Sequence, residues 1–242
     1  MSSPSGNQPL SPAMEAHLLG RIDFQRCLAL QRKLVRRIAL AGEEEICLLL
    51  CEHPDLITIG RGGSPADVQL DSRLIHSGKL PVRWVKRGGG CLVHTPGQLA
   101  VYPLVPLQWR RLSVGEYLDR FQAGVLATLE KLGIHGHTRP GQHGVWGRTG
   151  QLVTFGIAVH DWVAYHGAFV NVAPSMGLFR LIQTDPDRAT RISSLVAERQ
   201  RPVKMTSVRA ELIPHLADAF GCDRYHLYTG HPMLRRALAG RK

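Results

Sequence analysis

The strongest constraint on the fold is a run of strand signals in residues 142–172. GVWG, QLVTFGIAVHDW and AYHGAFVNV follow one another with only turn residues between them. Apolar, β-branched and aromatic residues broken at such short intervals predict successive strands too closely spaced for helical crossovers. A chain that also carries helical stretches then belongs to the α+β class, a mixed-sheet α/β domain, and not to a doubly wound parallel sheet.

The helical signals are equally local. Asp23 is placed to cap a helix through DFQRCLALQRKLVRRIAL, with Cys27, Leu28, Leu30, Leu34, Val35 and Ile38 on one side. Ser113 and Glu116 form a capping box before the stripe of SVGEYLDRFQAGVLATLEKLG, which Gly133 ends. A further helix is expected after Thr206, kinked or delayed by Pro214. EICLLLCE, PVRWVKR and QLAVYPLVPL read as strands. In 242 residues no apolar run reaches the ~20 needed to span a bilayer. Residues 1–14, rich in Ser, Pro and Gly, are expected to be a disordered leader, 15–230 one domain, and 231–242 a basic tail.

The net charge of +11 calls for an acidic partner. Nucleic acid is not expected, since the basic residues are spread along the chain without a recognisable docking module; acidic carrier proteins answer to the same field. Five scattered cysteines in apolar surroundings point to buried thiols in the reduced cytoplasm. Cys47 and Cys51 share one face of a strand, and His135, His137 and His143 lie in a loop without Cys or acidic companions, so no metal site is expected from either.

The chemistry-bearing stretch is RGGGCLVHTPGQLAVYPL, residues 87–104. Its glycines permit a backbone that approaches a ligand, and Arg87 could bind an anion. Cys91 and His94 suggest a nucleophile and base, but residues three apart in a strand face opposite ways, which favours a structural Cys91. His166 before Gly167 marks another point of close approach. Locally, Asp185-Pro186-Asp187 reads as an ordinary turn.

Taken in order, these pieces resemble the octanoyltransferase (lipoate–protein ligase B) family over residues 18–222. LGRIDFQRCLALQ, CEHPDLITIGR, VKRGGGCLVHTPGQLAVYPL, GVWG, QLVTFGIAV, VAYHGAFVNV, GLFRLI and ISSL fall where that family has its motifs. The resemblance implies a single domain of the biotin/lipoyl protein ligase fold with flanking helices and no metal or nucleotide cofactor. It implies transfer of an octanoyl group from acyl carrier protein to a lysine of lipoyl domains of 2-oxoacid dehydrogenases or of the glycine cleavage H protein. By position, the substrate-lining residues are Arg87, Gly88, Gly89, Gly90, Cys91, Leu92, Val93 and His94, then Thr154, Phe155, Gly156, Gly167, Ala168 and Phe169.

The two catalytic positions depart from the family pattern. Gln151 stands where the family has its lysine, and Asp185 where it has its cysteine nucleophile; Thr95 also replaces the glycine of HGPG. A carboxylate is a far weaker nucleophile toward a thioester than a thiolate, and a neutral amide has no charge with which to lower a thiol pKa. The expectation is therefore an octanoyltransferase-family protein impaired in the family's acyl-cysteine chemistry. Alternatives are a catalytically inactive acyl- or carrier-binding protein, an acyltransferase using Cys91 instead, or a nucleic-acid binder. An adenylate-forming ligase is disfavoured by the same missing lysine.

Overall fold

The computed structural model describes residues 13–68, 80–182 and 191–234. The strands and α-helices run β1 (Ala13–Arg21), α1 (Phe24–Ala41), β2 (Ile46–Glu52), β3 (Leu56–Ile59), β4 (Val82–Trp84), β5 (Cys91–His94), β6 (Gln98–Pro106), α2 (Val114–Lys131), β7 (His137–Arg139), β8 (Gln142–Trp146), β9 (Gln151–His160), β10 (Val163–Asn171), α3 (Leu195–Arg199), α4 (Met205–Ala219) and β11 (Arg224–Thr229). Eight strands form the main sheet in the order β11-β1-β2-β6-β10-β9-β8-β7, and β4-β3-β5 form a small second sheet. The β11-β1-β2 end pairs in parallel and the remainder of the main sheet antiparallel, the mixed sheet that the closely spaced strand signals require.

Side-chain alternation along the central strands supplies two apolar faces. On one face Leu48, Val101, Phe155 and Ala168 pack with Phe121 of α2 and Leu216 of α4. On the other, Leu49, Tyr102 and Phe169 pack with Leu28, Leu34 and Val35 of α1. Both helix starts are built as their sequences predict. The Asp23 carboxylate accepts from Arg26 N–H at 2.9 Å, and the Ser113 hydroxyl accepts from Glu116 N–H at 3.2 Å while Glu116 accepts from Ser113 N–H at 2.8 Å. Helix α4 begins at Met205, before Thr206, without a side-chain cap, and carries Pro214 in its interior.

Both outer strands at the parallel end differ from the sequence expectation. β1 begins at Ala13, inside the stretch expected as leader, because Met14 and Ala16 are buried on the α2/α4 face. Ser and Pro just before it mask that short alternation. β11 is exposed along its whole length, so it carries no apolar pattern by which a strand could be recognised. The chain holds it instead by backbone pairing in parallel with β1.

The β9–β10 hairpin turns through Asp161 and Trp162, both at positive φ (49° and 57°), the conformation that suits the twist of a two-residue hairpin. Beyond it β10 pairs with β9 without interruption, whereas its pairing with β6 skips from Ala164↔Val105 to Ala168↔Val101. The skipped register sets His166 opposite Pro103, which has no N–H to offer. His166 takes a positive φ of 57°, and its own N–H turns to the Gln31 side-chain oxygen of α1 at 3.0 Å. Gly167 is packed so closely on β6 that a Cβ there would lie 1.9 Å from the Val101 carbonyl oxygen. Gly167→Ala is therefore expected to cost about 3 kcal/mol or more, as overpacking against backbone that cannot move aside. Urea unfolding of the variant, with Val159→Ala on the exposed part of β9 as a near-neutral control, checks this.

Candidate functional site

The glycine-rich segment is held by its own arginine. Arg87 is 1% exposed, and its guanidinium points inward. Nη1 donates to the carbonyls of Gly88 and Gly90 at 2.9 and 3.0 Å, and Nη2 to the Thr58 carbonyl and hydroxyl at 3.0 and 2.8 Å. Among the described residues no carboxylate is in ion-pair range of it. Such a buried charge is tolerable because both terminal nitrogens are engaged by acceptors. Burial still draws its pKa down to about 10. Arg87 thus acts as a brace for the loop, and only Nε is left without a partner.

The brace seats the loop on β9. Gly88 N–H donates to Ile157 O at 2.8 Å, and a Cβ on Gly156 would lie 2.8 Å from Arg87 Cδ. The RGGG segment and Thr154–Gly156, far apart in sequence, therefore meet on the α1 face of the sheet. β5 continues from this loop with alternating sides. Cys91 and Val93 pack into a satellite cluster with Ile57 and Ile59, whereas Leu92 belongs to the α1-side core. His94 is turned to the same side as Leu92, edge-on to Phe169 with ring centroids 4.6 Å apart.

Cys91 and His94 accordingly do not meet. The Cys91 thiol lies 3.4 Å from Ser64 O and 3.9 Å from an Asp67 carboxylate oxygen. Burial, and then the Asp67 charge, push its pKa up, the reverse of what a nucleophile needs. His94 Nε2 is 2.8 Å from the Thr58 hydroxyl. That oxygen already accepts from Arg87, so the arrangement that also uses the hydroxyl proton has Thr58 donating to Nε2, with the His94 proton on Nδ1. Nδ1 has no partner of its own, nor does Nδ1 of His166.

His166 stacks on Tyr165 with ring centroids 4.8 Å apart and is 1% exposed. Burial, with Arg87 and Arg32 adding to it, pulls its pKa down to about 3, and burial first, then His53, Arg87 and His166, holds His94 well below the ordinary range. Both rings are neutral at physiological pH. Arg87 Nε, His94 Nδ1 and His166 Nδ1 are three of the five buried, unpartnered side-chain polar atoms among the described residues. Unpartnered buried polar atoms in such proximity are the mark of a site that completes its hydrogen bonds with a ligand.

The other positions fall differently. Phe169 lies on the site face, but Phe155 and Ala168 are turned to the opposite face, where Phe155 meets Phe121 edge-on at 4.9 Å. Gln151 opens β9, is 7% exposed, and donates from its amide to Val153 O at 3.4 Å. Its backbone is clamped by the chain re-entering from position 191: its N–H donates to Arg191 O at 2.7 Å and its carbonyl accepts from Ser193 N–H at 2.9 Å. The preceding turn rests on Glu198, which accepts from Arg148 N–H at 2.9 Å and Thr149 N–H at 2.7 Å. Asp185 lies outside the described residues. Thr95 donates its hydroxyl to Asp55 at 2.6 Å, which gives that departure a structural role.

His135, His137 and His143 are all exposed, around the β7–β8 hairpin, and form no ligand group among the described residues. The one cluster of three metal-capable side chains among the described residues is Cys27, Cys51 and His53. Local reading missed it by weighing Cys51 against Cys47, its neighbour in sequence. A cleft of about 520 Å³ beside the glycine loop, between α1 and the β9–β10 hairpin, is lined by Arg32, Lys33, Arg36, Lys86, His160 and Tyr165.

Residues 23–218 match the family model of the lipoyl protein ligase A/B catalytic domain. The octanoyltransferase of Geobacter metallireducens is 35% identical over 203 residues, which cover 83% of this chain and 92% of that protein. That of Geobacter sp. strain M21 is 38% identical over 180 residues, covering 74% and 84%. Among solved structures, a T. acidophilum protein assigned as a lipoate protein ligase, with bound lipoic acid, superposes with a TM-score of 0.72 at 16% identity over 95% of each chain. A lipoate-protein ligase A bound with ATP gives 0.69 at 17% identity, over 95% of this chain and 96% of the other. These likenesses establish the fold.

The neutral buried imidazoles also set an acid limit. A folded-state pKa near 3 for His166, against about 6.5 when unfolded, means the unfolded chain takes up the proton first. The contribution is complete above pH 6.5 and is lost as pH falls from there toward 3. Urea unfolding free energies are expected to drop over this window, and His166→Asn to make that drop shallower.

Proposed function

The chain belongs to the octanoyltransferase family, with the lipoyl protein ligase A/B catalytic domain, and we propose that it serves protein lipoylation by binding the octanoyl thioester and its carriers without passing through the family's acyl-cysteine. The observation that carries this reading is Gln151. It stands at the position of the family lysine, neutral, buried and bonded to its own strand, while the sequence has Asp185 at the position of the nucleophile. Nothing at Gln151 can lower a thiol pKa, and a carboxylate attacks a thioester poorly.

The binding half of the site is what supports retained recognition. The braced RGGG loop with Gly156 and Phe169, and the unpartnered polar atoms of Arg87, His94 and His166, suit an acyl chain whose carbonyl or amide groups need partners. The cationic cleft of Arg32, Lys33, Arg36 and Lys86 beside that loop suits an acidic carrier, an octanoyl-acyl carrier protein or an acidic lipoyl domain. The five buried cysteines, all free, suit a reducing compartment such as the cytoplasm. Cys91 does not support the alternative of a relocated nucleophile, because burial and Asp67 hold its thiol protonated on the wrong side of β5.

Incubation with octanoyl-acyl carrier protein, read by intact mass and by titration calorimetry, tests the proposal. The expected result is binding that weakens as salt rises, with no hydroxylamine-sensitive octanoyl adduct. The double variant Gln151→Lys/Asp185→Cys is expected to gain one octanoyl group. An adduct on the unsubstituted chain, or no binding at all, overturns the proposal.

A further inference from the structure

On the α1 side of the sheet, behind the Phe169–His94 contact, lie three groups that no part of the lipoylation chemistry uses. Cys27 comes from the first turns of α1, Cys51 from β2, and His53 from the residues just after β2. They are 1%, 2% and 2% exposed. Their ligand-capable atoms all lie within 4.8 Å of one another. We propose that Cys27, Cys51 and His53 form a buried zinc site, with the Tyr102 hydroxyl beside it.

Two of the three ligand spacings are those expected around one tetrahedral ion, and the third lies within 4.8 Å. With Zn–S bonds of about 2.3 Å and Zn–N bonds of about 2.0–2.1 Å, tetrahedral angles put two sulfurs about 3.8 Å apart and a sulfur and a nitrogen about 3.6 Å apart. Cys27 Sγ and Cys51 Sγ are 3.9 Å apart, and Cys51 Sγ and His53 Nε2 are 3.6 Å apart.

The surroundings of each ligand fit the same role. His53 Nδ1 is 2.8 Å from the Ile22 carbonyl, which accepts its proton and leaves the Nε2 electron pair as an acceptor, shared between the Tyr102 hydroxyl at 2.8 Å and Cys51 Sγ at 3.6 Å. An imidazole anchored through its far nitrogen on a carbonyl is how proteins orient a metal-binding histidine. Tyr102 Oη donates toward that same Nε2 at 2.8 Å, a hydrogen bond that zinc would replace. The Gln31 amide reaches Cys27 Sγ at 3.8 Å and is a donor toward a thiolate there. Its oxygen holds His166 N–H, so Gln31 joins the cluster to the acyl-site face.

The charge also balances. On binding, each thiol gives up one proton to solvent, His53 is already neutral, and two thiolates offset the two charges of the ion, so no net charge enters the core. Two thiolates and an imidazole in a compact tetrahedral set favour zinc over hard cations such as magnesium or calcium.

Chain produced in zinc-supplemented medium, purified and assayed by plasma mass spectrometry, is expected to carry one zinc per molecule. The zinc should resist dialysis and be released when a mercurial blocks the thiols. Cys27→Ser and Cys51→Ala should each abolish stoichiometric zinc, whereas Cys47→Ser, on the same face of β2 but outside the cluster, should retain it. Should the first two variants fail to fold, the unsubstituted chain produced in cobalt-supplemented medium decides. Intense visible bands of tetrahedral Co²⁺ with a near-ultraviolet thiolate charge-transfer band support the site. Substoichiometric zinc without those cobalt bands, with Cys27 and Cys51 either both free or joined as a disulfide, overturns it.

Discussion

The guanidinium of Arg87 is the group on which the arrangement of the candidate site depends. Its four hydrogen bonds run to Gly88, Gly90 and twice to Thr58. They fasten the glycine loop to β3 of the small sheet, and Gly88 N–H in turn fastens the loop to β9 of the large one. Hydrogen bonds to a charged donor contribute about 1.5–3 kcal/mol each, and losing the donor would remove four of them at once. Two sheets that share no strand pairing are joined at this point by the loop, which backbone bonds from Gly60, Arg61 and Gly62 hold together with Arg87. The same hydroxyl of Thr58 that receives Arg87 passes its proton toward His94, so the brace also sets the imidazole's tautomer.

That arrangement separates binding from chemistry. The α1 face gathers neutral imidazoles, a buried arginine with one free donor and an aromatic wall, all of which hold or orient a ligand. Among the described residues, Gln151 is an uncharged amide bonded to its own strand, and Cys91 is a thiol with a raised pKa on the far side of β5. Four cations beside the loop raise the encounter rate with acidic partners whether or not a covalent step follows.

Much of the fold was legible locally. Asp23 and the Ser113/Glu116 box start α1 and α2 where their side chains say, because capping involves only neighbouring residues. The strands of residues 142–172 were legible because apolar alternation survives within a strand whatever it pairs with. β1 and β11 were not. The buried residues of β1 are few and follow Ser and Pro, and β11 is held by backbone bonds that carry no side-chain signature. Arg87 read as an anion binder from its glycine neighbours; its inward turn follows from Thr58, twenty-nine residues away in the chain.

By itself, the sequence determined the mixed α/β class and the family, since each of these is a matter of residue type and pattern along the chain. Only the tertiary structure decided which side chains face one another. It turned Phe155 and Ala168 away from Phe169, separated Cys91 from His94, and brought Cys27 of α1 to Cys51 and His53. The physical reason is that local periodicity fixes the face of an element on which a residue lies, whereas its neighbours across that face depend on sheet order and helix placement, which are set by the burial of the whole core.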